Sequence, residues 1–166
     1  MLLREFELED VPFILALLNS EGWLRYIGDR GIKTKEQAIS YLENGPIRSY
    51  QVNGYGLGLV ALKDTQEPIG MCGLLKRETL ADTDIGFAFL PAYHGLGYAA
   101  EIAAATIQYG FETLNLNRIV AITQPDNTRS IKLLQKLGFR YERLLPAPQE
   151  KKEVKLFSLD ASKTPL

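Results

Sequence analysis

The stretch from Asp84 to Leu114 limits the fold more than any other part of the chain. Asp84–Leu90 reads as a strand and stops at Pro91, which has no N–H to give to a sheet ladder. Gly95 and Gly97 follow, and then an Ala-rich segment from Ala99 that reads as helix. A strand, a glycine loop and a helix N-terminus in that order make an anion cradle. Glycines let the main chain approach closely, and the unpaired N–H groups of the first helical turn face whatever binds. The expected ligand bears phosphate and is held by the backbone of Gly95, Leu96, Gly97, Tyr98, Ala99 and Ala100. Ala100, Ala103, Ile107, Phe111 and Leu114 form one helical stripe, small at its start, which lets the helix lie close to a sheet.

Gly95–Ala100 also satisfies G-x-G-x-x-G/A, the dinucleotide fingerprint. That pattern needs an acidic residue about twenty positions further on, at the end of the next strand. Ile119–Thr123 contains no carboxylate, so a nicotinamide-dependent oxidoreductase is disfavoured.

The rest of the chain alternates strands and helices. Leu2–Leu8 reads as a strand, and Asp10 as a helix cap with Pro12 in the first turn. Gly22–Gly31 reads as a loop holding Trp23, Arg25, Tyr26 and Asp29. Thr34 with Gln37 makes a capping box for a helix over Lys35–Glu43, stopped by Asn44-Gly45-Pro46. Tyr55–Lys63 and Pro68–Arg77 read as two strands of a hairpin turning at Asp64–Glu67. Arg118–Thr123 is a further strand, and Asp126 or Asn127 caps the next helix, which ends at Gly138. Phe139–Leu145 and Glu153–Leu159 are the last strands, with Pro146-Ala147-Pro148 between them, and the residues from Asp160 are expected to fray.

Composition removes several function classes. The chain has 166 residues, 46% hydrophobic and 23% charged, as expected for one soluble domain over 1–166. A net charge of −1 without a basic block argues against direct nucleic-acid binding. Cys72, the single cysteine, excludes an internal disulfide, suits a reducing cytoplasm, and lies in an apolar run where burial is expected. One His and one Cys make no metal-ligand cluster, so no metal is expected. No signal peptide or membrane span is legible, so a cytoplasmic location is expected.

Two segments carry a family resemblance. From His94 the stretch is x-x-x-G-x-A, preceded by a Pro-bearing turn and a Phe-Ala-Phe strand. About thirty residues on, Asn127-Thr128-Arg129-Ser130 and a closing Gly138-Phe139 are similar to an N-x-x-[SA] helix ending in G-F. Together they resemble the GNAT superfamily of N-acetyltransferases, and the wording YIGDRGI, PIGMCGLLKR and DIGFAFLPAYHGLGYAAE resembles its ribosomal-protein N-terminal acetyltransferase branch. The resemblance runs from Leu3 to about Leu159. It implies an α/β (α+β) fold with a mixed, mostly antiparallel sheet of about seven strands, splayed at the central strand, and about four helices.

The resemblance also implies roles. Acetyl-CoA would be the cosubstrate, and its acetyl group would pass directly to a primary amine on a protein N-terminus or a small molecule. The backbone of Phe87, Ala88 and Phe89 would hold the pantetheine and stabilise the developing oxyanion. His94 would contact the ligand beside the loop, and Asn127 would face the pantetheine arm. The tyrosine that often serves as general acid is replaced by Leu134, so Ser130 is the candidate donor to the leaving thiolate. Asp84 is the first candidate base, with Glu78, Asp82 and Glu101 as alternatives and a pairing of Asp84 with Arg77 as its structural role. Tyr26, Asp29 and Arg30 are the candidates for contacting the acceptor. A non-catalytic acyl-CoA-binding module stays open as an alternative, and dimerisation is the default assembly.

Overall fold

The structure, a computed structural model, describes residues 1–146 and 153–161. The expected turn at Ala147-Pro148 and the residues from Ser162 lie outside the described residues.

Seven strands form one sheet: β1 (Leu2–Arg4), β2 (Leu57–Ala61), β3 (Pro68–Leu75), β4 (Thr83–Phe89), β5 (Arg118–Thr123), β6 (Arg140–Pro146) and β7 (Glu153–Asp160). Their spatial order is β1-β2-β3-β4-β5-β7-β6. Every neighbouring pair is antiparallel except β4 with β5. Parallel neighbours need a long crossover, and α5 (Tyr98–Glu112) supplies it. The mixed, mostly antiparallel sheet therefore follows the expectation.

The strand faces separate two apolar layers by simple alternation. Val60, Ile69, Cys72, Leu74, Ile85 and Phe89 pack against Ile102, Ala103 and Ile107 of α5 and Leu134 of α6 (Thr128–Lys136). Leu59, Ala61 and Met71, on the other face, pack against α1 (Val11–Leu18), α2 (Glu21–Tyr26) and α3 (Lys35–Leu42). At Gly110 an added Cβ would stand 2.8 Å from Ile119 Cδ1, so the lack of a side chain lets α5 sit close to β5. None of the helices among the described residues is long and apolar enough to cross a membrane.

The helices exceed the expected four, and the extra ones have physical causes. The segment read as a Gly22–Gly31 loop contains α2, whose Trp23 is buried in the second layer. Asn44-Gly45-Pro46 does not stop the helix after α3. A wide π turn over Glu43–Ile47 accommodates buried Pro46, which has no N–H to contribute, and runs on into α4 (Arg48–Asn53). The first strand is also shorter than Leu2–Leu8, because the chain turns into a 3-10 helix at Leu8–Asp10. Asp10 does stand at the head of α1, but its carboxylate bonds Arg4 at 2.8 and 2.7 Å and the Glu7 N–H at 2.9 Å instead of capping the helix.

Tyr50 on α4 explains why that continuation is retained. Its phenol oxygen accepts the Phe6 N–H at 2.9 Å and donates to the Leu57 carbonyl, tying α4 to the chain on either side of it. Burial pushes this phenol up to about 12, so it stays protonated and able to donate. Tyr50→Phe leaves the Phe6 N–H without its partner and should cost about 1–3 kcal/mol in urea unfolding at unchanged m-value. A change below about 0.5 kcal/mol would contradict this role.

Candidate functional site

Strands β4 and β5 pair only at Thr83 with Ile119 and Asp84 with Val120, then separate. β4 continues to Phe89 with β3 as its single neighbour. Leu90 N–H donates to the Ile69 carbonyl at 2.9 Å, which fixes the phase of the antiparallel ladder. By the alternation of that ladder, Ala88 and Gly86 bond towards β3, while Ile85, Phe87 and Phe89 turn their main-chain groups to the open side. The free donors on this edge are thus those of Phe87 and Phe89. Ala88, grouped with them from the sequence, spends its N–H on β3.

The opening leads to the glycine loop. Gly95 and Gly97 have φ of 75° and 86°, and an added Cβ at either would meet nothing within 4 Å. The backbone conformation therefore demands glycine there, and the loop surface is clear. Gly97 is the N-cap of α5 without any side-chain cap, and the first helical bond runs from Glu101 N–H to the Gly97 carbonyl at 3.1 Å. Among the described residues the N–H groups from Gly95 to Ala100 donate to no protein acceptor. They form a row of donors at the positive end of a fifteen-residue helix, chemically suited to a pyrophosphate. The donor set suits the chemistry of an acyl-coenzyme A, whose phosphates and amide-bearing arm both accept hydrogen bonds.

The start of α6 forms the opposite rim. Asn127 is its N-cap and accepts the Ser130 N–H at 3.1 Å, so its side-chain oxygen is committed to the helix while its amide nitrogen is not. Ser130 is half-buried, and its hydroxyl has no protein partner among the described residues. Leu134 is 1% exposed and belongs to the core. His94 spans the two rims. Its Nε2 lies 2.8 Å from the Phe89 carbonyl and its Nδ1 faces a terminal nitrogen of Arg129. A guanidinium only donates, so Nδ1 accepts and Nε2 carries the proton. Arg129, unremarked in the sequence beyond its place in the motif, is brought to the ligand side by this contact.

The carboxylates divide clearly. Asp84 is 1% exposed, at the foot of the opening, with Oδ2 2.6 Å from Arg77 Nε. Oδ1 is buried and makes no full hydrogen bond among the described residues, and the Ile122 N–H near the carboxylate favours its charged form. Burial pushes the carboxyl up to about 6 against the opposing pull of Arg77. Asp82 is ion-paired at 3.4 Å to Arg118, which also joins Asp160 at 3.2 Å and Glu142, binding the strand ends β5 to β7 together. Glu78 is exposed. Glu101 meets the Met1 amino group at 3.0 Å. Among the described residues no group of His, Cys, Asp and Glu side chains could hold a metal.

The acceptor candidates fare unequally. Asp29 accepts the Gly31 N–H at 2.8 Å and pairs with Lys33 at 3.4 Å, so it holds its own loop. Tyr26 stacks under Arg25, whose guanidinium carbon is 5.0 Å from the ring centre. Arg30 is exposed and makes no hydrogen bond or ion pair among the described residues. Tyr41, not singled out from the sequence, packs on the face shared by Ala88 and feels the charges of both Arg30 and Arg77.

A carboxyl raised from 3.8 to about 6 binds its proton more tightly folded than unfolded. Its ionisation therefore costs stability progressively between about pH 4 and pH 6, and nothing below that window. Across it, Asp84→Asn should gain on the wild type by up to about 1.4 kcal/mol per pH unit in urea unfolding. A wild type that gains on the variant with rising pH would contradict the assignment.

Residues 1–140 match the family described as Acetyltransferase (GNAT) domain. The chain is 33% identical over 165 residues to "Uncharacterized N-acetyltransferase p20" of Bacillus licheniformis, covering 95% of this chain and 90% of that protein. The acetyltransferase (GNAT family) structure from Bacillus anthracis superposes with a TM-score of 0.78 at 27% identity, over 95% of this chain and 93% of that one. Spermidine N-acetyltransferase from Vibrio cholerae, in complex with CoA and spermine, gives 0.80 at 22% identity, over 98% and 96%. With its sheet opened beside β4 and its donors gathered on the glycine loop, the chain belongs to the GNAT acetyltransferase family.

Proposed function

We propose that the protein transfers the acetyl group of acetyl-coenzyme A to a primary amine, by direct attack within a ternary complex. One observation carries this reading: β4 and β5 part after Asp84, leaving the Phe87 and Phe89 donors unpaired on the β4 edge that leads into the glycine loop, where the N–H groups of Gly95 to Ala100 are also unpaired. Acetyl-coenzyme A supplies an activated acyl thioester. The loop and helix start bind its phosphates, and the Phe87 N–H is aimed at the carbonyl oxygen on which negative charge develops. The amine nitrogen forms its bond to the acyl carbon, the carbon–sulfur bond breaks, one amine proton leaves through Asp84 and the sulfur takes up a proton. Asp84 suits the base, because burial lifts its carboxyl to about 6 and Oδ1 makes no full hydrogen bond among the described residues.

A covalent acyl-enzyme is disfavoured. Cys72 is buried, 3.5 Å from the Thr106 hydroxyl, and burial pushes its thiol up to about 12. Ser130 is our candidate for returning a proton to the sulfur, since its hydroxyl at the start of α6 has no protein partner among the described residues. The buried leucine at position 134 leaves that rim without the tyrosine expected for this role. The spermidine enzymes among the relatives support an amine acceptor in general, while the identity of this acceptor rests on the chain's own charges.

Calorimetry with coenzyme A and a thiol-release assay over a panel of amines test the reading. Binding with turnover supports it, binding without turnover points to a non-catalytic acyl-coenzyme A module, and no binding refutes both. Asp84→Asn should lower kcat about 100-fold or more at pH 7. Ser130→Ala should lower it about tenfold at pH 7 and far less above pH 9, where a thiol with a pKa of about 8.5 leaves as the anion. A Ser130→Ala defect independent of pH would remove the proton-donor role.

A further inference from the structure

The acceptor side of the opening carries more free positive charge than negative. Asp84 is its buried carboxylate, and it is already matched by Arg77 through Nε at 2.6 Å. That contact leaves the two terminal nitrogens of Arg77 without a protein partner among the described residues. An arginine presenting an unused fork next to a buried acid is shaped for a planar anion. Arg30, in the loop after α2, is equally unengaged and would repel an ammonium rather than hold one. Tyr41 stands where both guanidiniums act on its phenol, and it packs on the same sheet face as Ala88. Even-numbered positions of β4 share a face, so Asp84 opens on that side as well.

Opposite charges therefore lie side by side here: an orphaned carboxylate oxygen of Asp84 and the free fork of Arg77. An α-amino acid or the free end of a small peptide-like amine carries the complementary pair, ammonium and carboxylate, one carbon apart. A polyamine carries no anion to satisfy either arginine, and its second ammonium would meet Arg30 or Arg77. Asp29, the nearest acid in sequence to Arg30, already pairs with Lys33 at 3.4 Å and is not free to hold it.

We propose that the acceptor is a small amine bearing its own carboxylate next to the amino group, with Arg77, Arg30 and Tyr41 holding the carboxylate while Asp84 faces the amine. This rests on the acetyltransferase reading and narrows it to a substrate class. Tyr41 donates its hydroxyl hydrogen to the carboxylate, and Arg77 remains bound to Asp84 through Nε, so one side chain orients both ends of the acceptor.

The test compares each of several amino acids with its own carboxamide, and with spermidine, in thiol release from acetyl-coenzyme A. Calorimetric binding of the same compounds to the protein saturated with coenzyme A is the second readout. Carboxylate acceptors should exceed their carboxamides by about tenfold or more in kcat/KM, the worth of one charge-assisted hydrogen bond. Arg30→Gln, an exposed change compatible with folding, should remove most of that preference by raising KM for the carboxylate acceptors about tenfold, with coenzyme A still binding normally. Tyr41→Phe should do the same in part. A preference for carboxamides or spermidine overturns the proposal and leaves acetyl transfer standing. So does the failure of every carboxylate amine to bind or react when coenzyme A binds normally. Absence of any heat with coenzyme A would instead defeat the acetyltransferase reading itself.

Discussion

Everything at the site depends on a parallel pairing that lasts two residues. Thr83 and Asp84 hold β4 to β5, and the strands then diverge. A continuous ladder would consume the donors of Phe87 and Phe89, as buried main-chain groups ordinarily are consumed. The divergence leaves them open to water or to a ligand. The crossover through α5 makes the arrangement possible, because it places a helix N-terminus above the carboxyl end of β4, where ligands of open α/β sheets bind.

Burial does the electrostatic work. Asp84, 1% exposed at the foot of the opening, would be costly as an isolated anion, and Arg77 at 2.6 Å offsets part of that cost. The balance leaves a carboxyl pushed up to about 6 and a guanidinium whose terminal nitrogens have no protein partner among the described residues. His94 contributes in another way, linking the Phe89 carbonyl to Arg129 and so joining the end of β4 to the start of α6.

Much of this was legible in the sequence. Pro91, the paired glycines and the Ala-rich segment give the cradle because each imposes a local backbone constraint. The Thr34–Gln37 capping box and the Asn127 cap formed as expected, the latter with a bond of 3.1 Å. What escaped was set by tertiary packing. Pro46 looks like a helix stop, yet a wide turn absorbs it because Tyr50 anchors the continuation. Glu21–Tyr26 looks like a loop, yet burial of Trp23 makes it helical. Which of Phe87, Ala88 and Phe89 has a free donor depends on ladder phase, and the packing of Tyr41 on the face of Ala88 depends on where α3 docks, so neither could be read along the chain.

The most direct measurement is the backbone amide spectrum of labelled protein titrated with coenzyme A, followed by hydrogen exchange of the complex. The account predicts large shifts and slowed exchange at Phe87, Phe89 and Gly95 to Ala100, with Ala88 protected before and after. Perturbations confined to other elements, or amides of Phe87 and Phe89 already protected in the free protein, would contradict it.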